Sequence, residues 1–544
     1  MKSSRSKSSK NVSWIILPGL GWIYLAFLVV RAAWLGDDAL ITFRAIENFT
    51  AGYGPVYNVG QRVQVFTHPL WMMVISIPYA GLKLLNLAEP GSLYYLTMAL
   101  SIFFSLTAAG MILARLAGGW QIGLAGVLFL AASGAFVDYS TSGLENPLVY
   151  WLSVLFMVVY SQGAASENSR FRWLGIVSLL AALIGCTRLD LLLLVIPVVI
   201  AAWWRLPAWQ PKTGLVWSAA GMFPLIAWEI FSLFYYGFPF PNTAYAKLGA
   251  DVSQQVLWRQ GGIYFLDSLQ NDPVTLPVIL LACGVGIWGK GLDRRLSLPF
   301  VVGISGYLLY VLRIGGDFMS GRFFAVPFVL AVGILLQVQV KRKWLLTIIL
   351  AAAMICGLIF PFLRIVSGAD YQAQDSSIDR IGKTGIANER AFYYRYSGLL
   401  IVLANNRPPT SPFAGNSWRA GSQPRRVELV DVAGKPGFDA GPDVHVLDRW
   451  AITDPLLARL PSIHRTYFRI GHLERDIPLG YLESLQSGKN QLAQPSLAAY
   501  YDRLSLIIHG ELWLPGRLLE IVKINAGVYQ PLLAEYAATI RRLH

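Results

Sequence analysis

The sequence is poor in charged side chains, which make up only 14% of its 544 residues. A soluble protein usually carries about 25% charged residues. Hydrophobic residues account for 55% of the chain, and the mean hydropathy is +0.49. Long apolar runs recur without the period-two alternation of membrane β-strands. These features exclude an ordinary soluble enzyme and favour a polytopic membrane protein built from helices.

Cysteine is scarce, and several catalytic motifs are missing. The three cysteines, Cys186, Cys283 and Cys356, all lie in apolar segments, so the sequence predicts neither a disulfide framework nor a cysteine–histidine metal site. The chain has no Gly-x-Ser-x-Gly elbow and no His-Glu-x-x-His helix. Gly382-Lys383-Thr384 resembles the end of a phosphate loop, but Ser377 stands where that loop requires glycine.

The net charge of +14 does not require a nucleic-acid partner, because basic residues on cytoplasmic loops are the ordinary cause in membrane proteins. Residues 1–12 are basic without any acid, so we expect the N-terminus in the cytoplasm. If Pro69–Leu87 does not cross, every later basic loop also lies inside. This assignment predicts about eleven membrane-spanning helices: Ser13–Leu35, Leu93–Leu113, Trp120–Val137, Asn146–Ser161, Trp173–Cys186, Leu191–Trp204, Gly214–Tyr235, Val274–Trp288, Ser297–Leu312, Phe323–Val340 and Trp344–Phe362.

The composition changes after residue 363. Residues 364–544 are polar and broken by proline and glycine, which predicts a soluble extracytoplasmic α+β domain following an all-α membrane domain, 1–363, with an outer loop at 36–92. Val427–Val432 and Leu504–His509 have strand-like composition. Leu532–Leu543 has helical composition, and Pro531 is suited to open that helix.

Five polar clusters fall on the outer face under this assignment. They are Gly36-Asp37-Asp38-Ala39, Thr141–Asn146, Thr187-Arg188-Leu189-Asp190, Pro241–Lys247 and Gly315–Arg322. Charged groups near membrane depth are costly and usually line a cavity or a path. Their recurrence on one face therefore predicts a polar cavity that opens outward.

Each cluster also has a structural explanation when it is taken alone. Asp37 and Asp38 are equally consistent with the polar end of a span, and Arg188 with Asp190 is equally consistent with an ion pair at a tight turn. Glu145 is suited to cap the helix that Pro147 opens.

The remaining polar residues have similar alternatives. The glycines at 315, 316 and 321 are suited to a tight turn. Lys247 is consistent with a lysine that reaches to lipid headgroups, and His68 with a loop residue before Pro69.

The functional alternative is transfer of a group from an anionic lipid-linked donor. Adjacent acids supply a general base or hold a cation, and Arg or Lys binds a phosphate. Asn, Thr and Tyr bind sugar hydroxyls. The candidate donor-binding or substrate-binding residues are Arg44, His68, Glu145, Arg188, Asp190, Asn242, Thr243, Tyr245, Lys247, Asp317 and Arg322, beside the candidate catalytic Asp37 and Asp38.

These residues resemble a known family. An acidic pair after the first span, followed by a short interfacial helix and many spans, resembles the GT-C membrane glycosyltransferases. The ordered motifs are similar to the terminal β-(1→2)-arabinofuranosyltransferases of mycobacterial and corynebacterial cell walls. They are Asp37–Ile41 with Arg44, Gly52–Asn58, Gly60–Val63, Pro241-Asn242-Thr243 with Lys247, Gly316-Asp317 with Gly321-Arg322, Leu447-Asp448, Asp454–Pro461, Arg469–His472 and Pro478–Tyr481.

The resemblance implies a multi-pass protein of the bacterial plasma membrane. Arabinofuranose would pass from a decaprenyl-phosphate-arabinose donor to a cell-wall glycan on the outer face, with Asp37 or Asp38 at the reaction centre. Whether that acid is a base, a nucleophile or a cation holder stays open. Some GT-C relatives use a divalent cation, so Mg, Mn or Ca is a candidate cofactor, although no dedicated ligand set is visible.

Two alternatives remain beside this hypothesis. One is a GT-C enzyme that transfers mannose or another hexose to glycan, lipid or protein. The other is a transporter of a lipid-linked substrate, although no pair of inverted repeats is evident. Trp450, Arg469, His472 and Tyr481 are weaker candidates for contact with an acceptor glycan, and the domain core is the alternative place for them.

Overall fold

The computed structural model describes residues 5–163, 169–206, 210–248, 252–289, 292–338, 383–413, 426–463 and 469–543. The chain divides into two compact units. Unit 1 comprises Met1–Gly36, Tyr94–Leu225 and Gln254–Pro409, and unit 2 comprises Asp37–Leu93, Ile226–Ser253 and Thr410–His544. This division differs from the single boundary after residue 363 that composition suggests, because the expected outer loop belongs with the C-terminal residues.

Helices dominate the described structure. In chain order they are α1 (Arg5–Ala32), α2 (Asp37–Thr50), α3 (Pro69–Leu84), α4 (Ser92–Met111), α5 (Trp120–Ala132), α6 (Gly134–Tyr139), α7 (Asn146–Gln162), α8 (Arg170–Thr187), α9 (Leu192–Trp203), α10 (Pro211–Tyr235), α11 (Asn242–Leu248), α12 (Gln254–Asn271), α13 (Thr275–Trp288), α14 (Arg294–Ile314), α15 (Ala325–Leu336), α16 (Glu389–Ser397), α17 (Leu399–Asn405), α18 (Lys435–Ala440), α19 (Tyr481–Ser487), α20 (Pro495–His509), α21 (Pro515–Asn525) and α22 (Gln530–Leu543). The strands are β1 (Arg426–Val430) and β2 (Val444–Asp448).

Four described helices are long and apolar enough to cross a membrane, namely Ser92–Leu116, Arg170–Thr187, Pro211–Tyr235 and Arg294–Ile314. Two helix pairs, each broken by a bend, pass the same test jointly, so the number is up to six if each pair is counted as one span. Shorter apolar helices include Pro69–Leu84, Trp120–Ala132, Leu189–Trp203 and Arg322–Leu336. The mostly helical membrane part is thereby confirmed, whereas the number of eleven spans stays a prediction. The expected span Trp344–Phe362 lies outside the described residues.

One predicted span is broken. Trp120–Val137 is not one helix, because α5 ends at Ala132 and α6 begins at Gly134. Ser133 between them has extended backbone, and its side-chain oxygen accepts the N–H of Phe136 at 3.1 Å. This cap satisfies one of the unpaired N–H groups at the start of a helix. The sequence suggested continuity because the apolar residues run through the break.

The short helix that the sequence predicts after the first span is confirmed as α2. It carries four charged residues, Asp37, Asp38, Arg44 and Glu47, within fourteen residues. Such a segment is too polar for the bilayer interior. We treat α2 as lying outside the membrane-crossing segments.

Unit 2 is built around a parallel pair of strands. β1 pairs with β2, with Val427 opposite His445 and Leu429 opposite Leu447, and α18 lies in the connection between them. The surrounding core combines Ile41 and Tyr57 from the N-terminal part with residues of β2 and of helices α19 to α22. Apolar side chains from distant parts of the sequence thus hold unit 2 together by burial.

One strand prediction in unit 2 is wrong. Leu504–His509 is the last part of helix α20, not a strand. The buried positions Tyr500, Leu504, Ile507 and Ile508 follow helical spacing, and Pro495 occupies the first helical position. The apolar run at 504–508 hides this spacing in the sequence. The expected helix at Leu532–Leu543 is confirmed within α22, where Pro531 is the second residue.

The structure describes two of the three cysteines. Cys186 is buried and Cys283 is partly buried, and both are outside any disulfide. Cys356 lies outside the described residues.

Candidate functional site

The acidic pair begins helix α2 in unit 2. Asp37 is the first residue of this helix, and only 5% of its surface is exposed. Its Oδ2 accepts the backbone N–H of Gly434 at 3.0 Å, and its Oδ1 accepts the N–H of Lys435 at 2.9 Å. Asp38 is partly exposed. The helix N-terminus is a favourable place for both negative charges.

Burial raises the pKa of Asp37 to about 7. The charge of Asp38 acts in the same direction, whereas the N–H groups of Lys435 and Gly434 and the Lys435 charge lower the pKa. A carboxyl group with this pKa is present in both protonation states near neutral pH. Perturbed carboxyl groups of this kind cluster at functional sites, which fits the role that the sequence predicts for the pair.

His68 lies near the acidic helix. Its Nε2 is 2.8 Å from the Oγ1 of Thr42, and its Nδ1 is 3.3 Å from the Oγ1 of Thr67. Thr42 lies one helical turn after Asp38, so both residues share a face of α2. His68 thus contacts, through Thr42, the face of α2 that carries Asp38.

The side chain of Arg44 is held by contacts within the protein. Its Nε donates to the carbonyl of Tyr57 at 2.6 Å, and its guanidinium also donates to the carbonyls of Gly437 and Val444. The guanidinium carbon lies 4.7 Å from the ring centre of Tyr57. Three backbone carbonyls and an aromatic ring thus account for its burial without a substrate. Its assignment to the donor stays a prediction.

Asn242 similarly stabilises the protein itself. Its Nδ2 donates to the carbonyls of Ala451, Ile452 and Asp454 at 3.1, 2.9 and 3.0 Å. Its Oδ1 accepts from the guanidinium of Arg459 at 3.4 Å. These contacts use both ends of the amide, so Asn242 fixes the turn that follows β2.

The residues after Asn242 have different surroundings. Thr243 is buried, and its Oγ1 has no hydrogen-bond partner among the described residues. The ring of Tyr245 lies 5.7 Å from that of Phe238, and the Arg459 guanidinium lies 4.3 Å from the Tyr245 ring centre. Lys247 is partly exposed at the end of α11. This short helix therefore offers a hydroxyl, an aromatic face and a cation.

Three of the four acceptor candidates lie close together. The rings of Trp450 and His472 are 5.3 Å apart, and Trp450 Nε1 donates to the carbonyl of Asp431 at 2.6 Å. Burial lowers the pKa of His472 well below its ordinary value, and the charges of Arg469 and Lys247 act in the same direction. A neutral imidazole, an indole and two cations in one region suit binding of a polar, anionic or carbohydrate group.

Tyr481 belongs to the core of unit 2. Its side chain is fully buried, and its hydroxyl donates to Asp454 Oδ2 at 2.7 Å. Asp454 in turn accepts the N–H of Leu457 at 2.8 Å. The alternative that placed this residue in the domain core therefore fits the structure, and no surface is left for a glycan contact.

Unit 1 brings together the other five candidates. Glu145 is fully buried and lies 3.5 Å from Arg188 and 3.1 Å from Arg322. Arg188 also donates to Asp190, and Arg322 lies 3.6 Å from Asp317. We call these five residues the ionic network. Three acids and two arginines stabilise one another in a region where unpaired charges would be costly.

The ionic network settles two structural alternatives. Glu145 stands just before α7, but its side chain makes no cap hydrogen bond and pairs with arginines instead. Arg188 and Asp190 form the ion pair that was the structural alternative for them. The hydroxyl of Tyr307 is within hydrogen-bond distance of both side chains. The turn glycines 315, 316 and 321 have φ values of 90°, 71° and 76°, which glycine tolerates.

The described residues contain no group of three or more His, Cys, Asp or Glu side chains placed to hold a metal ion. Three contributors to the site were not predicted from the sequence. Gly434 and Lys435 contact Asp37, and Arg459 contacts Asn242 and Tyr245. These partners lie far apart in the sequence, and a glycine in a polar loop carries no local signal of such a role.

Comparisons with known proteins complete this description. No family model matches the chain. The chain is 28% identical over 539 residues to the terminal beta-(1->2)-arabinofuranosyltransferase of Mycobacterium tuberculosis, with 81% of this chain and 80% of that protein covered. The protein of the same name from Corynebacterium glutamicum is 29% identical over 361 residues, with 57% of this chain and 49% of that protein covered.

A solved structure shows a weaker likeness. The crystal structure of ArnT from Cupriavidus metallidurans bound to undecaprenyl phosphate has a TM-score of 0.41 and 17% identity, over 64% of each chain. The resemblance to terminal arabinofuranosyltransferases that the ordered sequence motifs indicate is confirmed by the two sequence relatives.

Proposed function

We propose that this relative of the terminal β-(1→2)-arabinofuranosyltransferases is a membrane glycosyltransferase that uses a polyprenyl-phosphate sugar as donor. The likeness to two such enzymes carries the proposal, since one of the alignments extends along most of both chains. The acidic pair of α2 supports it, because a partly exposed carboxylate beside a buried one is suited to proton transfer.

The reaction is a substitution at the anomeric carbon of the sugar. The bond between this carbon and the phosphate oxygen breaks, and its electron pair stays with the polyprenyl phosphate. The acceptor hydroxyl oxygen bonds to the carbon, and its proton passes to a carboxylate of the Asp37–Asp38 pair. Whether one displacement or two are needed depends on the anomeric configuration of donor and product.

Arabinofuranose is the sugar that the relatives favour, and a wall glycan on the outer face is the acceptor. We place the N-terminus in the cytoplasm and unit 2 outside, since the basic loops then lie in the cytoplasm. Lys247 and Arg469 in unit 2 are the cations we assign to anionic parts of the substrates. The arginines of the ionic network remain further candidates, although each is already paired with acids.

Transfer by the purified full-length protein in nanodiscs tests the proposal. The assay offers synthetic lipid-phosphate arabinofuranose and a short arabinan acceptor, and mass spectrometry identifies the product. We expect the acceptor to gain one pentose, and the double substitution of Asp37 and Asp38 by Asn to remove this gain. Glu535→Gln, at an exposed site on α22, is the matched control. Transfer from lipid-linked hexose alone would reject arabinose, and no transfer from any donor would reject the enzyme.

A labelling experiment tests the proposed orientation of the chain in the membrane. Single cysteines at the exposed positions Glu535 and Lys212 are introduced after Cys186, Cys283 and Cys356 are replaced by Ala. A membrane-impermeant maleimide should label position 535 in intact cells and position 212 only after lysis. The opposite result would reverse the proposed orientation.

A further inference from the structure

The two acids of α2 differ in their surroundings. Both carboxylate oxygens of Asp37 accept backbone N–H groups, one from Gly434 and one from Lys435. These donors belong to the segment that leads from β1 into α18, and they do not depend on any side chain. Backbone donors in a buried setting fix the carboxylate in one orientation.

Gly434 is required by space. A Cβ atom at this position would lie 2.0 Å from Asp37 Oδ2 and 2.2 Å from the Asp37 carbonyl oxygen. Its φ of −71° is accessible to any residue, so conformation is not the reason for glycine here. The absence of a side chain is what allows the N–H to reach the carboxylate.

The helix turns the two acids in different directions. Consecutive residues in an α-helix are about 100° apart, so they do not share a face. Asp37 shares its face with Ile41, which is buried in the core of unit 2. Asp38 shares its face with Thr42, which contacts His68. Thr42 and His68 are also buried, so the second face is a polar contact inside the protein, and Asp38 next to it is partly exposed whereas Asp37 is buried.

We propose that Asp37 and Asp38 have different roles in the reaction. Asp37 is a positioning residue, held by the amides of Gly434 and Lys435, and Asp38 on the polar face is the carboxylate that takes the acceptor proton. The inference rests on the proposed transferase function and adds which acid reacts and which backbone groups orient the pair. Asp37 acts through α2, since its fixed carboxylate anchors the first turn on which Asp38 stands.

Steady-state kinetics of four variants and one control variant test this division. Asp38→Asn should lower kcat by about 10³-fold at every pH, as expected for loss of a general base. Asp37→Asn and Gly434→Ala should each lower kcat by about 10-fold to 100-fold through misplacement, with an unchanged KM for the donor. Their double variant should be no worse than either single one, because both remove the same contact. Glu535→Gln should match the wild type.

The pH profile separates positioning from folding. Asp37→Asn and Gly434→Ala should both change the pH dependence of kcat, which a general loss of folded protein would leave unaltered. If Gly434→Ala does not purify as folded protein, the contrast between Asp37→Asn and Asp38→Asn decides alone.

Three results would overturn the inference: an inactive Asp37→Asn beside an active Asp38→Asn, equal losses in both, or a Gly434→Ala variant like the wild type. A wild-type protein that transfers no sugar from any donor would reject the proposed function itself, which is a different outcome.

Discussion

The hydroxyl of Tyr481 donates to the Oδ2 of Asp454 at 2.7 Å, and both side chains are buried in unit 2. Burial raises the pKa of Asp454 to about 6, whereas the Leu457 N–H and the Tyr481 hydroxyl lower it. This hydrogen bond links the turn after β2 to α19. Two residues of separate sequence motifs therefore stabilise the same core.

Tyr481→Phe is expected to destabilise the protein by about 1–3 kcal/mol, because it leaves a buried carboxylate without one of its donors. Turnover per folded molecule should stay unchanged, since Tyr481 has no surface for substrate. Thermal unfolding and the transfer assay measure the two effects. Tyr53→Phe, on a half-exposed side chain, serves as the control. A normal melting temperature with lost turnover would show that Tyr481 contacts the acceptor.

Glu145→Gln is expected to cost about 3–5 kcal/mol of stability, as does breaking a buried ion pair by removing one partner. Glu145 is fully buried between Arg188 and Arg322, so its neutralisation leaves two guanidinium groups short of negative charge. The melting temperature in detergent reports the loss, with the exposed Glu89→Gln as control. Equal melting temperatures for the two variants would contradict the importance of the ionic network.

Stability should fall as pH rises from about 4 to about 7, in part because of Asp37. Its folded-state pKa of about 7 lies above the ordinary value of 3.8, so the folded protein keeps a proton that the unfolded chain has released. The contribution is fully present below the ordinary value and is lost as pH rises through 7. Melting temperatures of the wild type and of Asp37→Asn across this range isolate the effect. The same slope in both proteins would count against the raised pKa.

Thr243→Val is expected to leave stability unchanged or raise it by up to about 1 kcal/mol, because it removes a buried hydroxyl that has no partner among the described residues. If this hydroxyl binds a sugar, the KM of that substrate should rise by about 10-fold, because the variant cannot form the hydrogen bond to the sugar. The exposed Thr213→Val is the matched control. An unchanged KM for donor and acceptor would assign Thr243 to structure alone.

The sequence could predict those parts of the fold and site that depend on local pattern. The apolar runs indicate helices, and the polar segment after the first span indicates a short interfacial helix. Arg188 and Asp190 are two residues apart, so their ion pair is readable from the chain. By contrast, the segment Leu504–His509, which was expected to be a strand, is part of helix α20. The buried residues recur at helical intervals along the whole of α20, and this pattern extends beyond the six residues whose composition suggested a strand.

The roles of the arginines show the limit of such reading. Arg44 lies in a helix that begins with two acids, which suggests a phosphate ligand, but its guanidinium donates to carbonyls that include those of Gly437 and Val444. Those acceptors are backbone carbonyl oxygens far away in the sequence. Because every residue has a backbone carbonyl, no residue type identifies them as partners of Arg44. A charged residue in the sequence indicates that its side chain needs polar partners, but it does not indicate whether the protein or a substrate supplies them.

The sequence by itself determined that this protein is helical and membrane-embedded, that it resembles arabinofuranosyltransferases, and that a short helix follows the acidic pair. These properties follow from hydropathy, periodicity and order of motifs, all of which are local. Only the tertiary structure decided that Asp37 is held by the amides of Gly434 and Lys435, while Asp38 stands on another face. Long-range packing decides this, because a backbone N–H is present at nearly every residue and only folding selects the one that a carboxylate meets.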